Sequence, residues 1–443
     1  MNDNEDSLSL TTMRKVAWRI VPFVALLYVV SFIDRVNVGF AALAMNEQLG
    51  LTPAMFGWGA GVFFFGYFIF EVPSNIILHR VGARIWIARV MFTWGLISMA
   101  TAFVKGPTSF YVARFMLGVA EAGFFPGIIL YLTYWFPQRH LAAVTGAFMT
   151  AIPIASFIGA PLSGWLLNFN GRLDLAGWQW MFLLEGIPAV LAGVGVLVYL
   201  SDRPEKVTWL KPEEREWLVH TLREEAEQKA VRQIHAGSLW RTLSDLRVLG
   251  LGLVYFGMTV GLYGVEVWLP TLLKTFRLGN MAIGLLSAVP YVAAVCAMIL
   301  WARHSDQRRE RVWHVAAACG VACAGVFAAA YAGSLVLTLL FLSVAMVGIM
   351  AARPPFWALP SQIMSGAAAA GGIALINSVG NLGGFVGPYM IGRAREATGG
   401  YSAGLILVGA FLLFSSVLAV VVGNRLSRNA EGQTVARPAL GKA

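Results

Sequence analysis

Runs of about twenty apolar residues follow one another from near the start of this chain to near residue 424, separated by short polar turns. A helix of that length crosses the ~30 Å hydrocarbon core of a bilayer and satisfies its own backbone hydrogen bonds, as a lipid-embedded segment must. Twelve candidate spans are read between the polar breaks, near residues 16–43, 54–78, 84–104, 108–136, 141–168, 178–200, 246–271, 282–303, 312–332, 335–360, 368–392 and 401–424. The expected fold class is therefore an all-α polytopic membrane protein with twelve transmembrane helices. Composition excludes an ordinary soluble domain: 58% of the 443 residues are hydrophobic, 13% are charged, and mean hydropathy is +0.68.

The net charge of +10 does not point to nucleic acid, because the basic residues sit in short clusters between apolar runs. They report topology instead. Arg14, Lys15 and Arg19 precede the first span, Arg80 and Arg84 follow the second, Arg139 the fourth, Arg303 to Arg311 the eighth, and Arg425 and Arg428 the last. With an even number of spans these ends share one side, so both termini are expected to be cytoplasmic in an inner membrane. Lys105, Arg172, Lys274, Arg277, Arg393 and Arg395 weaken that bias without reversing it. The acidic start, Met1 to Asp6, does not resemble a signal peptide. Cys296, Cys319 and Cys323 have neither disulfide nor zinc spacing. The histidines show no metal pattern, and no nucleotide-binding loop is present. No enzyme chemistry and no cofactor are expected; a gradient supplies any driving force, and a monomer is expected.

The segment Ser201 to Leu246 is the one long polar connection. Within it Trp217, Leu218 and Leu222 fall on one side of an otherwise charged helix that begins near Pro212, an amphipathic brace along the membrane face. The expected organisation is a six-helix half over 1–200, a linker over 201–245, a second half over 246–425 and a tail over 426–443. An internal repeat supports two pseudo-symmetric halves. The turn His79-Arg80-Val-Gly82-Ala-Arg84 resembles Asp306-Gln-Arg-Arg309-Glu-Arg311, and 306 minus 79 gives an offset of 227. The same offset carries Pro161 onto Pro388. Arg80, Gly82, Arg84, Asp306 and Arg311 are assigned to these turns as gating elements, and carriers built from repeats bind substrate between them.

The buried charges do not obey the repeat. At that offset Asp34 falls on Gly261, Arg35 on Leu262, Arg114 on Phe341 and Glu121 on Gly348. A scaffold charge would tend to recur with the scaffold, whereas a charge at membrane depth is costly and usually marks a transport path. Arg114 and Glu121 lie two turns apart on one face of span four, and one economical arrangement pairs carboxylates and arginines across spans one and four. An anionic substrate that took the arginine would favour proton uptake by the carboxylate. The alternative is a static ion pair that fastens two helices.

In the second half, Glu266 is expected near the outer end of span seven and Arg353 in the inner half of span ten, too far apart in depth to pair. Arg353 reads as a second anion contact or as a side chain that snorkels to the surface. Asn377 and Asn381 share a face of span eleven, for helix packing or for hydrogen bonding to substrate oxygens. Tyr67 could offer its hydroxyl to a cavity, and Glu71 and Glu185 are expected near span ends as gate or interface residues.

The chain resembles the major facilitator superfamily and, within it, the anion:cation symporter family of organic-anion carriers. The superfamily turn is met in part: Asn75 replaces its glycine and His79 its aspartate, while Arg80, Gly82 and Arg84 agree. The narrower likeness rests on Ser31-Phe-Ile-Asp34-Arg35-Val-Asn37-Val-Gly-Phe-Ala, Glu71-Val-Pro-Ser-Asn75, Gly118-Val-Ala-Glu121-Ala-Gly-Phe-Phe-Pro126-Gly, Tyr134-Trp-Phe-Pro137 and Ile376-Asn377-Ser-Val-Gly-Asn381-Leu-Gly-Gly. It implies proton-coupled uptake of small carboxylates by alternating access. It also implies proton binding at Asp34 and Glu121, and substrate contacts from Arg35, Arg114, Tyr67 and an asparagine of span eleven. Thr150-Ala-Ile152-Pro-Ile154 is apolar where sugar-acid carriers have a glutamine, so an aromatic or sparsely hydroxylated carboxylate is expected. Export or exchange of organic anions, and a receptor that binds the ligand without moving it, are the competing readings.

Overall fold

The fold was read from a computed structural model that describes residues 3–233, 245–363 and 366–435. The rest of the expected linker, the end of the expected tail and the side chains of His79, Arg425 and Arg428 lie outside the described residues. All twelve expected spans are helical. The first is the longest, Asp3–Gln48, so the helix begins well before the apolar run does. Among the described residues, ten spans are long and apolar enough to cross a membrane by composition. The third, Ala83–Thr101, misses that standard, with Arg84 and Arg89 in its opening turns. The eleventh, in two pieces, Gly366–Asn381 and Gly383–Thr398, misses it as well. Both pack among the other helices all the same.

The repeat is visible in the helix bounds. Span two is Pro53–Val81 and span eight is Asn280–Arg308, so both ends agree at the offset of 227. Spans five and eleven are both broken, the fifth into Gln138–Met149 and Ala151–Leu166. Span four is broken into Pro107–Glu121 and Phe124–Thr133, whereas its counterpart, span ten, runs unbroken as Leu335–Ile363. The break has a local cause. Gly123 adopts φ 83°, a left-handed conformation that costs glycine little, and the Ser74 hydroxyl donates to the freed Ala122 carbonyl at 2.6 Å. A side chain at Gly123 would strike that same hydroxyl.

Successive spans alternate in direction. The side that carries residues 201–233 is called the linker side here, and the opposite one the far side. The halves meet through spans two and eleven, five and eight, and one and seven. On the far side these contacts are backbone-close: a Cβ on Gly57 would lie 2.5 Å from the Pro388 carbonyl oxygen, and one on Gly39 would lie 2.7 Å from that of Val267. Without a hydrophobic force between helices in lipid, small residues that allow such approach are what hold them. The amphipathic helix is Pro212–Gln233. Leu218 is fully buried, Trp217 and Leu222 pack on the main core, and Lys15 of span one pairs with the buried Glu214.

Candidate functional site

Span one presents two polar faces to two different neighbours. Consecutive helical residues diverge by about 100°, so Asp34 and Arg35 cannot share a partner easily. Asp34 is buried and turned to span three. It accepts from Trp94 Nε1 at 2.7 Å and from the Ser98 hydroxyl, which stand one turn apart on that helix, and from Asn37 Nδ2 at 3.1 Å.

Arg35 is turned to span four. Its Nε donates to Glu121 Oε1 at 2.8 Å, its Nη2 pairs with the same oxygen, and Ser31, one turn earlier, donates to that oxygen at 2.8 Å. Glu121 closes the first piece of broken span four and is completely buried, with Oε2 lacking any hydrogen-bond partner. The remaining arm of Arg35, Nη1, donates to the Tyr263 hydroxyl of span seven at 3.1 Å. The Phe32, Phe63 and Tyr67 rings surround the guanidinium at 5.3 to 5.5 Å. The pair is thus held at mid-depth, about 20 Å from the far end of either helix, and it touches both halves.

Other expected contacts are arranged differently. Arg114 is buried under the Phe63 ring and donates to the Ala60 carbonyl at 3.4 Å; Asp34 and Glu121 reach it only electrostatically, so the second cross-pair between spans one and four is not hydrogen-bonded. Tyr67 meets Arg35 through its ring face, not through its hydroxyl. Arg353 does not snorkel: about 15 Å inside span ten, it donates to the Tyr255 hydroxyl at 3.3 Å, and its Nε is buried without a partner. Tyr28, Tyr263 and Glu266 lie within electrostatic reach of both Arg35 and Arg353, so the two arginines, one from each half, face a common centre.

Glu266 lies eight residues inside the far end of its helix and joins the halves. It accepts from Ser156 of span five at 3.0 Å and from Tyr291 at 3.1 Å. Asn377 is turned away from the centre. Its Nδ2 donates to Glu71 Oε1 at 2.8 Å and Ser378 donates to Glu71 Oε2 at 3.0 Å, a second junction between halves, on the linker side. Asn381 is half-buried at the break in span eleven. Glu185 is not at a span end but two turns inside span six.

The repeated turns act within their own halves. The Arg84 N–H donates to Asp202 at 3.0 Å and its guanidinium reaches the Leu197 carbonyl; Gly82 makes the turn at φ 97°, and Arg80 is exposed. Asp306 pairs with Arg311 at 2.5 Å, and Arg311 also donates to Ser305. Sequence reasoning missed Tyr28, Tyr255 and Tyr263. Their signal was faint: hydroxyls within apolar helices, Tyr28 on span one and Tyr255 and Tyr263 on span seven, which is buried along almost its whole length.

With this geometry in hand, the profile described as Major Facilitator Superfamily matches residues 24–388. The chain belongs to the Major Facilitator Superfamily. A protein of Agrobacterium vitis named "Putative tartrate transporter" is 53% identical to this superfamily member over 97% of this chain and 95% of its own. A "Quinolone resistance transporter" of Acinetobacter baumannii is 43% identical over 96% and 97%. The same fold is found in a bacterial homologue of the lysosomal transporter Spinster, inward-facing and occupied, with a TM-score of 0.74 at 15% identity over 91% and 96% of the two chains. It is found again in the E. coli xylose transporter XylE, partially occluded and inward-open, with a TM-score of 0.70 at 17% identity over 91% and 97%. The protein is a multi-pass membrane transporter of the major facilitator type, not an enzyme.

Proposed function

We propose that this transporter takes up a small organic carboxylate together with protons, by rocking of the two halves about the Arg35 centre. The observation that carries the reading is the grip of Arg35 on a single oxygen of Glu121 while the other oxygen, buried, meets no donor. A substrate carboxylate that takes the guanidinium removes the charge that keeps Glu121 ionised. A proton on Oε2 then leaves a neutral group, so anion and proton enter together. Arg353, in the other half, receives a second anionic group of the same substrate, and its bidentate fork suits a carboxylate. The site needs no cofactor.

Tartrate is the first substrate to test, because relatives with identities of 53% and 54% carry that name. The ring faces of Phe32, Phe63 and Tyr67 about Arg35 favour an aromatic carboxylate as the second. The transporter works as a monomer in the inner membrane with both termini in the cytoplasm, which makes the linker side the cytoplasmic side. The test is uptake of labelled tartrate and phthalate into proteoliposomes with and without an inward proton gradient. Gradient-driven accumulation of one of them is expected. Accumulation indifferent to the gradient would end proton coupling, and binding without flux would favour a receptor. Glu121→Gln is expected to lose gradient-driven accumulation while it still binds the anion.

A further inference from the structure

Glu185, on span six, is almost completely buried, and none of the steps above uses it. The Ser163 hydroxyl donates to its Oε1 at 2.7 Å, while its Oε2 is enclosed and meets no donor. The Asn37 side chain reaches the same carboxyl and donates its Nδ2 to Asp34 at 3.1 Å; the other amide atom, Oδ1, is buried and without a partner as well. Next to Glu185, Gly186 packs on Gly95 and Met99, which bracket the Ser98 that donates to Asp34. Two carboxyls are therefore bridged by one amide. Among the described residues the charged group that acts on Glu185 is Asp34 from span one, and span five presents the Ser163 hydroxyl.

The donors are shared unequally. Asp34 accepts from three donors, Trp94, Ser98 and Asn37. Glu185 as a carboxylate would leave two buried acceptors, its own Oε2 and Asn37 Oδ1, both unsatisfied, which is the costly state for enclosed polar atoms. One proton on Oε2 removes the buried charge and turns that oxygen from an acceptor into a donor. Two like charges this close also disfavour joint ionisation.

We propose that Glu185 is a proton-binding site that exchanges its proton with Asp34, with the Asn37 amide as the switch between them. In one arrangement Nδ2 donates to ionised Asp34 and Oδ1 accepts from protonated Glu185. When the proton leaves Glu185 Oε2 and binds an Asp34 oxygen, a half-turn of the amide lets Nδ2 donate to Glu185 and Oδ1 accept from Asp34. The pair holds one proton and one negative charge throughout. An amide can reverse this way because its oxygen and nitrogen ends are distinguished by their hydrogen bonds alone. Glu185 lies about 12 Å from the far end of its helix, so the proton would enter from that side. The transfer role rests on the proton-coupled reading above; the protonated state of Glu185 does not.

Two measurements separate those parts. Infrared spectra of the purified transporter in lipid at neutral pH should show the carbonyl stretch of a buried protonated carboxyl, which Glu185→Gln removes and Asp34→Asn retains. The same band in Glu185→Gln would overturn the assignment. In proteoliposomes loaded with a pH-sensitive dye, external tartrate should acidify the lumen, at least ten-fold more slowly with Glu185→Gln and with partial recovery in Glu185→Asp. Wild-type vesicles that take up tartrate without acidification would end the proton-coupled reading and leave the infrared result to decide the site. Acidification by Glu185→Gln at the wild-type rate would overturn the transfer role. Asn37→Ala is expected to keep the band and lose the flux, and a retained flux would overturn the switch.

Discussion

The two halves share a scaffold to the residue in span two and span eight, yet they treat charge in opposite ways. In the first half four ionisable groups, Asp34, Arg35, Arg114 and Glu121, are packed together, two of each sign. Span four breaks just after Glu121, and Arg35 meets Glu121 directly. In the second half the equivalent helix is continuous, and Gly348 packs tightly against span nine where Glu121 would stand. Its two buried charges are held by hydroxyls, Arg353 by Tyr255 and Glu266 by Ser156 and Tyr291. The shared frame thus carries a carboxylate–arginine pair in one half only; in the proposed function that pair is the site of charge exchange, and the substrate is the counter-charge of Arg353 in the other.

The sharpest way to break this comparison is Arg35→Ala. It strips Glu121 of its counter-ion, and breaking a buried pair leaves an unpaired charge that costs about 3–5 kcal/mol. Anion affinity should fall by roughly a hundredfold or more, as when one member of a buried charged contact is truncated. Adding Glu121→Gln should recover thermal stability without recovering affinity, read by thermal unfolding and by binding titration in detergent. Unchanged affinity in Arg35→Ala would move the anion site out of the first half.

Arg353→Ala should do less. Among the described residues its one hydrogen bond is to a tyrosine, so its removal strands no carboxylate, and stability should change little. Affinity should still fall, by about tenfold, in line with loss of one charge-assisted contact of ~1.5 kcal/mol. A loss equal to that of Arg35→Ala would make the halves equivalent binding partners; no loss would confine the site to the first half.

How much of this was legible in the sequence follows from which signals are local. Helices, spans and the repeat are written in runs of residues, and their bounds emerged to within a few positions except at the start of span one and the end of span twelve, where the helix outruns the apolar run. The cost of burying Asp34, Arg35, Arg114 and Glu121 is likewise visible residue by residue. Their partners are not, because a helix face says which way a side chain points but not which helix lies opposite. That is why Asp34 was paired with span four and is found against Trp94 and Ser98 of span three. Asn377 reads from sequence as a packing amide or a substrate contact, and its partner, Glu71, was out of view for the same reason. The tyrosines that orient both arginines stayed hidden, since a tyrosine in an apolar run reads as packing until its hydroxyl has a partner.

The junction of Glu71 with Asn377 and Ser378 sharpens the comparison on the linker side, where it ties the halves through side chains instead of close backbones. Glu71→Gln keeps the shape but turns two charge-assisted hydrogen bonds into neutral ones, a change of roughly 1 kcal/mol. The linker side should open more readily, with exchange of labelled tartrate about three- to five-fold faster. An unchanged or slower exchange rate would remove this junction from the opening step.

The smallest effect expected distinguishes the two repeated turns. After span two, the turn is capped from outside by Asp202; after span eight, it is capped by its own Glu310, which accepts from the Trp313 N–H at 2.7 Å, the His314 N–H at 3.1 Å and the His314 ring at 2.6 Å. Partial burial alone would push the Glu310 carboxyl up, but these donors outweigh it and hold the group below the ordinary glutamate range. A group lowered in the folded state adds stability that is complete above its unfolded value and is lost as pH falls through the folded one. Glu310→Ala should therefore destabilise the transporter at neutral pH by about 1 kcal/mol, the usual worth of a helix cap. The gap between variant and wild type should then close as pH falls below the glutamate range. Thermal unfolding of the two proteins across that range is the measurement. A gap that stayed constant with pH would mean that the carboxylate charge contributes nothing to the turn.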